Sequence, residues 1–288
     1  MKELSFGTSF VFHTLKRMKM LLNQSIMKKF IIPILAIFIA TTAFMPTTAP
    51  PEMAFKKGEW FRFRIHYGVF NASYATMQVS ETKLEGKEVY HIKGKGKSTG
   101  LLHLFFKVDD RYETYIDRTT VKPYRFIRDI DEGGHTKDIQ IDFDHDTGTA
   151  IINDKKHNKV ESMNIEPSTQ DMMSAFYHLR TIVDIKTLEK GDEFKLPMFF
   201  DKENFDFKLK FLGRDTIRTK FGKVPALEFR PYVQSGRVFK EEESLTVWIS
   251  DDENKMPLKI KAKLAVGSLT ADLDAFKGLK YQFKTLPK

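Results

Sequence analysis

From residue 55 onward, apolar and polar side chains alternate in short runs, and the runs are broken by Gly, Asp and Asn. The first, Trp60-Phe61-Arg62-Phe63-Arg64-Ile65-His66-Tyr67, puts Phe61, Phe63, Ile65 and Tyr67 on one side and Arg62, Arg64 and His66 on the other. A period of two is a strand with one buried face. The same pattern predicts strands over 72–81, 88–95, 105–116, 124–130, 135–143, 149–153, 193–198, 205–215, 218–220, 224–231, 245–250, 258–263 and 267–273. Runs this short and this regularly punctuated predict an antiparallel meander, not strand–helix–strand units.

One stretch departs from the pattern. Met172, Ala175, Phe176 and Leu179 recur at spacings of three and four, which predicts a principal helix with an apolar face turned to the sheet. Ser168 or Thr169 can cap it, with Asp171 in the first turn. Residues 101–106 read equally well as a short helical turn or as strand.

The strands also repeat. Lys56-Lys57-Gly58-Glu59-Trp60-Phe61 recurs as Glu189-Lys190-Gly191-Asp192-Glu193-Phe194, and Thr114-Tyr115-Ile116-Asp117 before Pro123 recurs as Val247-Trp248-Ile249-Ser250 before Pro257. Gly58 and Pro123 are 65 residues apart, and Gly191 and Pro257 are 66 apart. Equal spacing of several landmarks predicts two similar halves, 55–160 and 188–285, joined through the helix. The fold class expected is all-β: one large curved antiparallel meander sheet in a single domain, 55–285, packed on one principal helix as an open or partial barrel.

Ahead of this domain, Met27-Lys28-Lys29 leads into an apolar run over 30–40 and then Thr41-Thr42-Ala43. Basic, apolar and small-residue segments in that order predict a secretory signal at 27–43, cleaved between Ala43 and Thr48. The 26 residues before Met27 read as a non-structural extension, and 44–54, with Pro46, Pro50 and Pro51, as a linker. Eleven helical residues rise only about 16 Å, against a hydrocarbon core of roughly 30 Å. Extended through Met45 the run reaches 16 residues, which leaves open an uncleaved anchor in contact with the membrane.

Composition changes the picture in two ways. The net charge of +9 is concentrated at the start: residues 1–43 hold six basic side chains and one acid, while 44–288 hold 41 and 37. A small excess spread over the body is an ordinary solvated surface, and no nucleic-acid partner is expected. The absence of Cys removes disulfides, thiolate metal sites and thiol nucleophiles.

Catalytic motifs are not expected either. The sequence holds no Gly-rich phosphate loop, no paired-His metal helix and no Gly-x-Ser-x-Gly elbow. The run Asp142 to Gly148 has the composition of a calcium loop, but its Gly falls one place late and no Glu closes it, so it reads as a hairpin turn. The seven His of the body show no metal-ligand spacing, and adjacent Asp109 and Asp110 point to opposite faces of a strand. No metal, cofactor or catalytic residue is expected. The candidate site is a ligand pocket with Met172, Met173, Phe176 and Leu179 as its wall and Tyr177 and His178 as polar groups at its mouth; the competing reading makes these core packing, with His178 in solvent.

Several of these features also carry a resemblance. The Gly58-Glu59 strand opening, Tyr67-Gly68, Asp109-Asp110-Arg111-Tyr112, Ile141-Asp142-Phe143-Asp144 and the helix start from Asp171 to Arg180 resemble an exported bacterial family carrying the domain of unknown function 3108. The resemblance covers about residues 55–285. It implies the periplasm or envelope of a Gram-negative cell and a fold similar to periplasmic lipoprotein carriers, and it brings no catalytic residues. Three function classes follow: an exported protein, soluble after signal cleavage, that binds an apolar or lipid-like ligand or an envelope protein; a structural or assembly factor without a small ligand; and a hydrolase-type enzyme whose site the fold assembles.

Overall fold

The computed structural model describes residues 52–99, 107–232, 245–264 and 266–287. The expected extension, signal and most of the linker lie outside these residues, as do 101–106 and the start of the strand expected at 105. Residues Pro51–Lys288 form one compact unit.

Fourteen strands make one sheet among the described residues: β1 (Trp60–Tyr67), β2 (Phe70–Leu84), β3 (Lys87–Ser98), β4 (Val108–Asp117), β5 (Pro123–Glu132), β6 (His135–Asp144), β7 (Thr149–Asp154), β8 (Lys159–Asn164), β9 (Glu193–Phe200), β10 (Glu203–Thr219), β11 (Gly222–Tyr232), β12 (Leu245–Ser250), β13 (Pro257–Lys263) and β14 (Ser268–Lys277). Helix α1 (Met172–Ile182) separates β8 from β9. The spatial order is β8-β7-β6-β5-β4-β3-β2-β1-β14-β13-β12-β11-β10-β9, antiparallel throughout. Two meanders therefore meet where β1 pairs with β14, Phe61 opposite Phe276 and Tyr67 opposite Leu269.

The halves match at the level of single hydrogen bonds. Gly58 N–H donates to the Val79 carbonyl and Val79 N–H to that of Glu59; Gly191 donates to Phe211, and Phe211 to Asp192. Gly58 (φ 88°) and Gly191 (φ 104°) both occupy the left-handed region that glycine tolerates. Strands β1–β6 thus correspond to β9–β14, and β7, β8 and α1 are inserted between them.

Two expectations on strands need correction. The segments 205–215 and 218–220 are one strand, β10, whose register shifts between Phe211 and Gly213, so a bulge breaks the alternation without ending the strand. Strand β8 escapes the sequence pattern because it is an exposed edge: Val160 stays 65% exposed, and of its apolar residues only Met163 packs on the core.

The sheet curves without closing into a barrel. Its β9 edge is taken by Gln170, whose N–H donates to the Pro197 carbonyl while its own carbonyl accepts from Phe199. Across the gap, Lys202 pairs with Glu161 of β8, and the Asn204 amide donates to the Asn164 carbonyl at 2.8 Å. In the β1–β8 half the inner face is filled by Val79, Ile92, Ile116, Phe126, Ile141 and Ile152, with Tyr177 of α1 and Phe199 packed on them.

Candidate functional site

Helix α1 starts at Asp171, not at Ser168 or Thr169. The Asp171 carboxylate accepts from the N–H groups of Met173 and Ser174, and Ser174 Oγ accepts from Asp171 N–H at 2.8 Å, a reciprocal cap. Thr114 of β4 also donates to Asp171 at 2.5 Å, so the cap fixes the helix to the sheet. Burial pushes the Asp171 carboxyl up to about 6 against the pull of these donors. The Thr169 hydroxyl instead donates to the Glu166 carbonyl.

The other end of the helix is held by a buried ion pair. Arg180 donates to Glu59 at 2.7 and 2.8 Å and to the Asn254 carbonyl at 2.8 and 3.2 Å. The rings of Phe55, Phe61, Phe176 and Tyr177 stand 5.2 to 5.7 Å from its guanidinium. Glu59 opens β1, and Asn254 lies between β12 and β13, so one side chain ties α1 to both halves.

Held this way, α1 presents two sides. Met173, Ser174 and Tyr177 are buried, and the Met173 methyl would lie 3.2 Å from a Cβ placed on Gly94. Met172, Phe176 and Leu179 line a groove of about 900 Å³ between α1 and strands β9–β13. Its other walls are hydrocarbon: Met198, Phe205, Phe207, Leu209, Phe229, Val247, Ile249 and Ile260. The alternation in β10 explains why, since Phe205, Phe207 and Leu209 share a face while Asp206, Lys208 and Lys210 take the other. Tyr112, Arg128, Glu132, Asp201 and Glu203 are the polar side chains that border the groove with Arg180.

Asp201 sits in a turn that crosses the inner face. Asp201 (φ 49°) and Lys202 (φ 66°) form a two-residue hairpin with both residues left-handed, a conformation that disfavours lysine. Charge holds it: Arg128 of β5 reaches Asp201 at 2.5 Å and Lys137 of β6 at 3.2 Å. The Arg128 guanidinium also lies over the Phe200 ring at 4.9 Å.

Of the side chains expected at a pocket, Met172, Phe176 and Leu179 come together on the groove. Met173 and Tyr177 do not: both face the filled half, and burial raises the Tyr177 hydroxyl well above the phenol range. His178 is neither at the groove nor in solvent. It is half-buried, and desolvation lowers its pKa. The sequence pattern missed the β10 and β12 walls, although the Phe205, Phe207, Leu209 alternation marked a sheet face with nothing assigned to cover it. Among the described residues no group of three His, Asp or Glu could hold a metal ion.

The family model described as protein of unknown function (DUF3108) matches residues 62–274. No curated protein matches the sequence. Among solved structures, a beta-barrel-like protein of the domain of unknown function DUF1849 from Brucella abortus superposes with a TM-score of 0.50 at 8% identity, over 78% of this chain and 99% of that one. That likeness is one of fold. A protein from Parabacteroides distasonis named as a lipoprotein aligns with a TM-score of 0.31 at 12% identity, over 80% of this chain and all of its own. One from Bacteroides fragilis, named as an exported protein with a YmcC-like fold, aligns at 0.33 and 9% over the same shares.

Proposed function

We propose that this chain, which belongs to the DUF3108 family, is an exported envelope protein that binds an apolar or lipid-like molecule in the groove beside α1 without catalysing a reaction on it. One contrast carries the proposal. Under Met173 and Tyr177 of α1 the inner face of the β1–β8 half is packed with its own side chains, whereas beside the helix the β9–β14 half leaves about 900 Å³ between hydrocarbon walls. Protein interiors pack as densely as organic crystals, so a space of that size is not a packing fault. It falls within the range of roughly 300–1,000 Å³ that holds small ligands. Methionines at Met172 and Met198 suit a binder of variable chains, because the thioether side chain adapts its shape to irregular apolar partners. Export rests on the basic, apolar and small-residue order over 27–43, and the periplasm of a Gram-negative cell on what the family resemblance implies.

The test is titration of the purified protein with a fluorescent acyl-chain probe. Wild type should bind one probe per chain, and Val247→Trp, which fills the groove from β12, should lose most of that affinity while its urea midpoint stays close to wild type. Wild type that fails to bind, or a variant that binds equally well, defeats the proposal.

A further inference from the structure

We propose that the molecule in the groove is an amphiphile with an anionic head, and that the head is taken by a second cleft across the Arg128–Asp201 bridge; this rests on the apolar-ligand reading above. The second cleft, about 470 Å³, lies between β5–β7 and the β9–β10 turn. Strand pairing sets its walls on the inner face, Arg128 opposite Ile139 and Phe126 opposite Ile141. Arg128, Phe200 and Asp201 line both cavities, so the two adjoin along one wall.

The chemistry changes across that wall. On the groove side the lining is hydrocarbon with Glu132 and Glu203 among it; on the cleft side Arg128, Lys137, Lys156 and Lys202 face Asp154 and Asp201, with His135 and His157 beside them. These cations are not matched one to one. Lys137 shares Asp201 with Arg128, and Lys156 donates to the Thr136 carbonyl, which carries no charge. Lys202 is paired with Glu161, and His157 with Asp154. An anionic head placed against Lys137 and Lys156 supplies the charge that one lysine shares and the other lacks. A cationic head meets the same lysines and is repelled. On the groove side Arg180 is already paired with Glu59 and Glu132 and Glu203 stand among the hydrocarbon, so the lysines of the cleft are the better seat for an anion.

Three probes that share one alkyl chain test this by calorimetry, all below their micelle concentrations: dodecyl phosphate, dodecanol and dodecyltrimethylammonium, with inorganic phosphate as a fourth arm. Dodecyl phosphate should bind about tenfold or more tighter than dodecanol, as expected for new hydrogen bonds to a charged group, with the ammonium weakest. K137Q/K156Q, in which Arg128 still holds the Asp201 turn, should erase that advantage while dodecanol binding stays as it was, and K137R/K156R should keep it. Equal affinity for the three chains, or a preference that survives K137Q/K156Q, overturns the head subsite and leaves the groove. Inorganic phosphate binding as tightly as dodecyl phosphate overturns the linked-ligand proposal in favour of a free-anion site. If no alkyl chain binds, the groove reading falls with it.

Discussion

Glu59 and Arg180, 121 residues apart, form a two-pronged ion pair with the acid fully buried and the arginine 2% exposed. Neither charge can reach water if its partner is removed. In the second half the residue corresponding to Glu59 is Asp192, whose carboxylate accepts from Glu189 N–H in its own turn and bonds no helix. The two halves therefore hold α1 differently, the first through the Glu59 carboxylate and the second through the Asn254 carbonyl.

Glu59→Leu or Arg180→Met alone should cost about 3–5 kcal/mol, the usual cost of leaving one buried charge unpaired. The double variant Glu59→Leu/Arg180→Met should recover a large part of that loss, because a hydrocarbon pair suits the ring of Phe55, Phe61, Phe176 and Tyr177. Urea unfolding of the four proteins closes the cycle; losses that simply add would show that the two groups act independently.

A second prediction concerns the seam between the halves. Gly278 follows β14 with φ 71°, and a Cβ there would lie 2.1 Å from the Gly58 carbonyl oxygen. Gly278→Ala should destabilise by about 3 kcal/mol or more, combining overpacking against backbone with a left-handed alanine. Thermal unfolding reads it, and a midpoint equal to wild type would mean the seam can open locally.

Asp110 gives a pH dependence. Burial, with Glu132 next, raises its carboxyl to about 6, so the folded state holds this proton more tightly than the unfolded chain does. The stability gained is fully present below the ordinary carboxylate value and is lost as pH rises through about 6. Asp110→Asn should therefore lose less stability than wild type between about pH 4 and 7. Parallel stability curves for the two proteins would refute the assignment.

How much of this could be read beforehand depends on the kind of contact. Alternation located most strands, because each has one face in the core and the other in water, as Phe61 and Phe63 against Arg62 and Arg64. The repeat was visible because turns demand particular residues, Gly58 and Gly191 above all. The helix was visible too, but not its rotation: Met172 and Leu179 shared a stripe with Phe176, while the fully buried Tyr177 and Arg180 looked polar. A buried polar group is specified by a partner distant in sequence, here Glu59 and Asn254, and periodicity holds no trace of such pairs. The groove was half visible for the same reason. Its helix wall follows local spacing, whereas the approach of β10 and β12 depends on sheet curvature.

Phe176 reports on both sides of α1. It is half-buried, packs edge-on against Tyr177 at 5.2 Å, and lines the groove. Phe176→Ala should cost less than the roughly 3–5 kcal/mol of a fully buried ring, while affinity for the acyl probe falls. Equal loss with and without probe would place the ring in the core alone.

The pairing of β1 with β14 also sets an order of events. Hairpins within each meander join neighbours and can form as the chain appears, but the centre of the sheet joins residues 60–67 to residues 269–277. Contacts of such sequence separation form slowly, so the earliest strand waits for the latest. Until then β1 offers an unpaired hydrogen-bonding edge backed by Phe61 and Phe63, the kind of edge that recruits strands from other molecules. A chain halted before residue 268 would keep that edge permanently, which makes incomplete synthesis, more than mutation of the surface, the route by which this protein would aggregate.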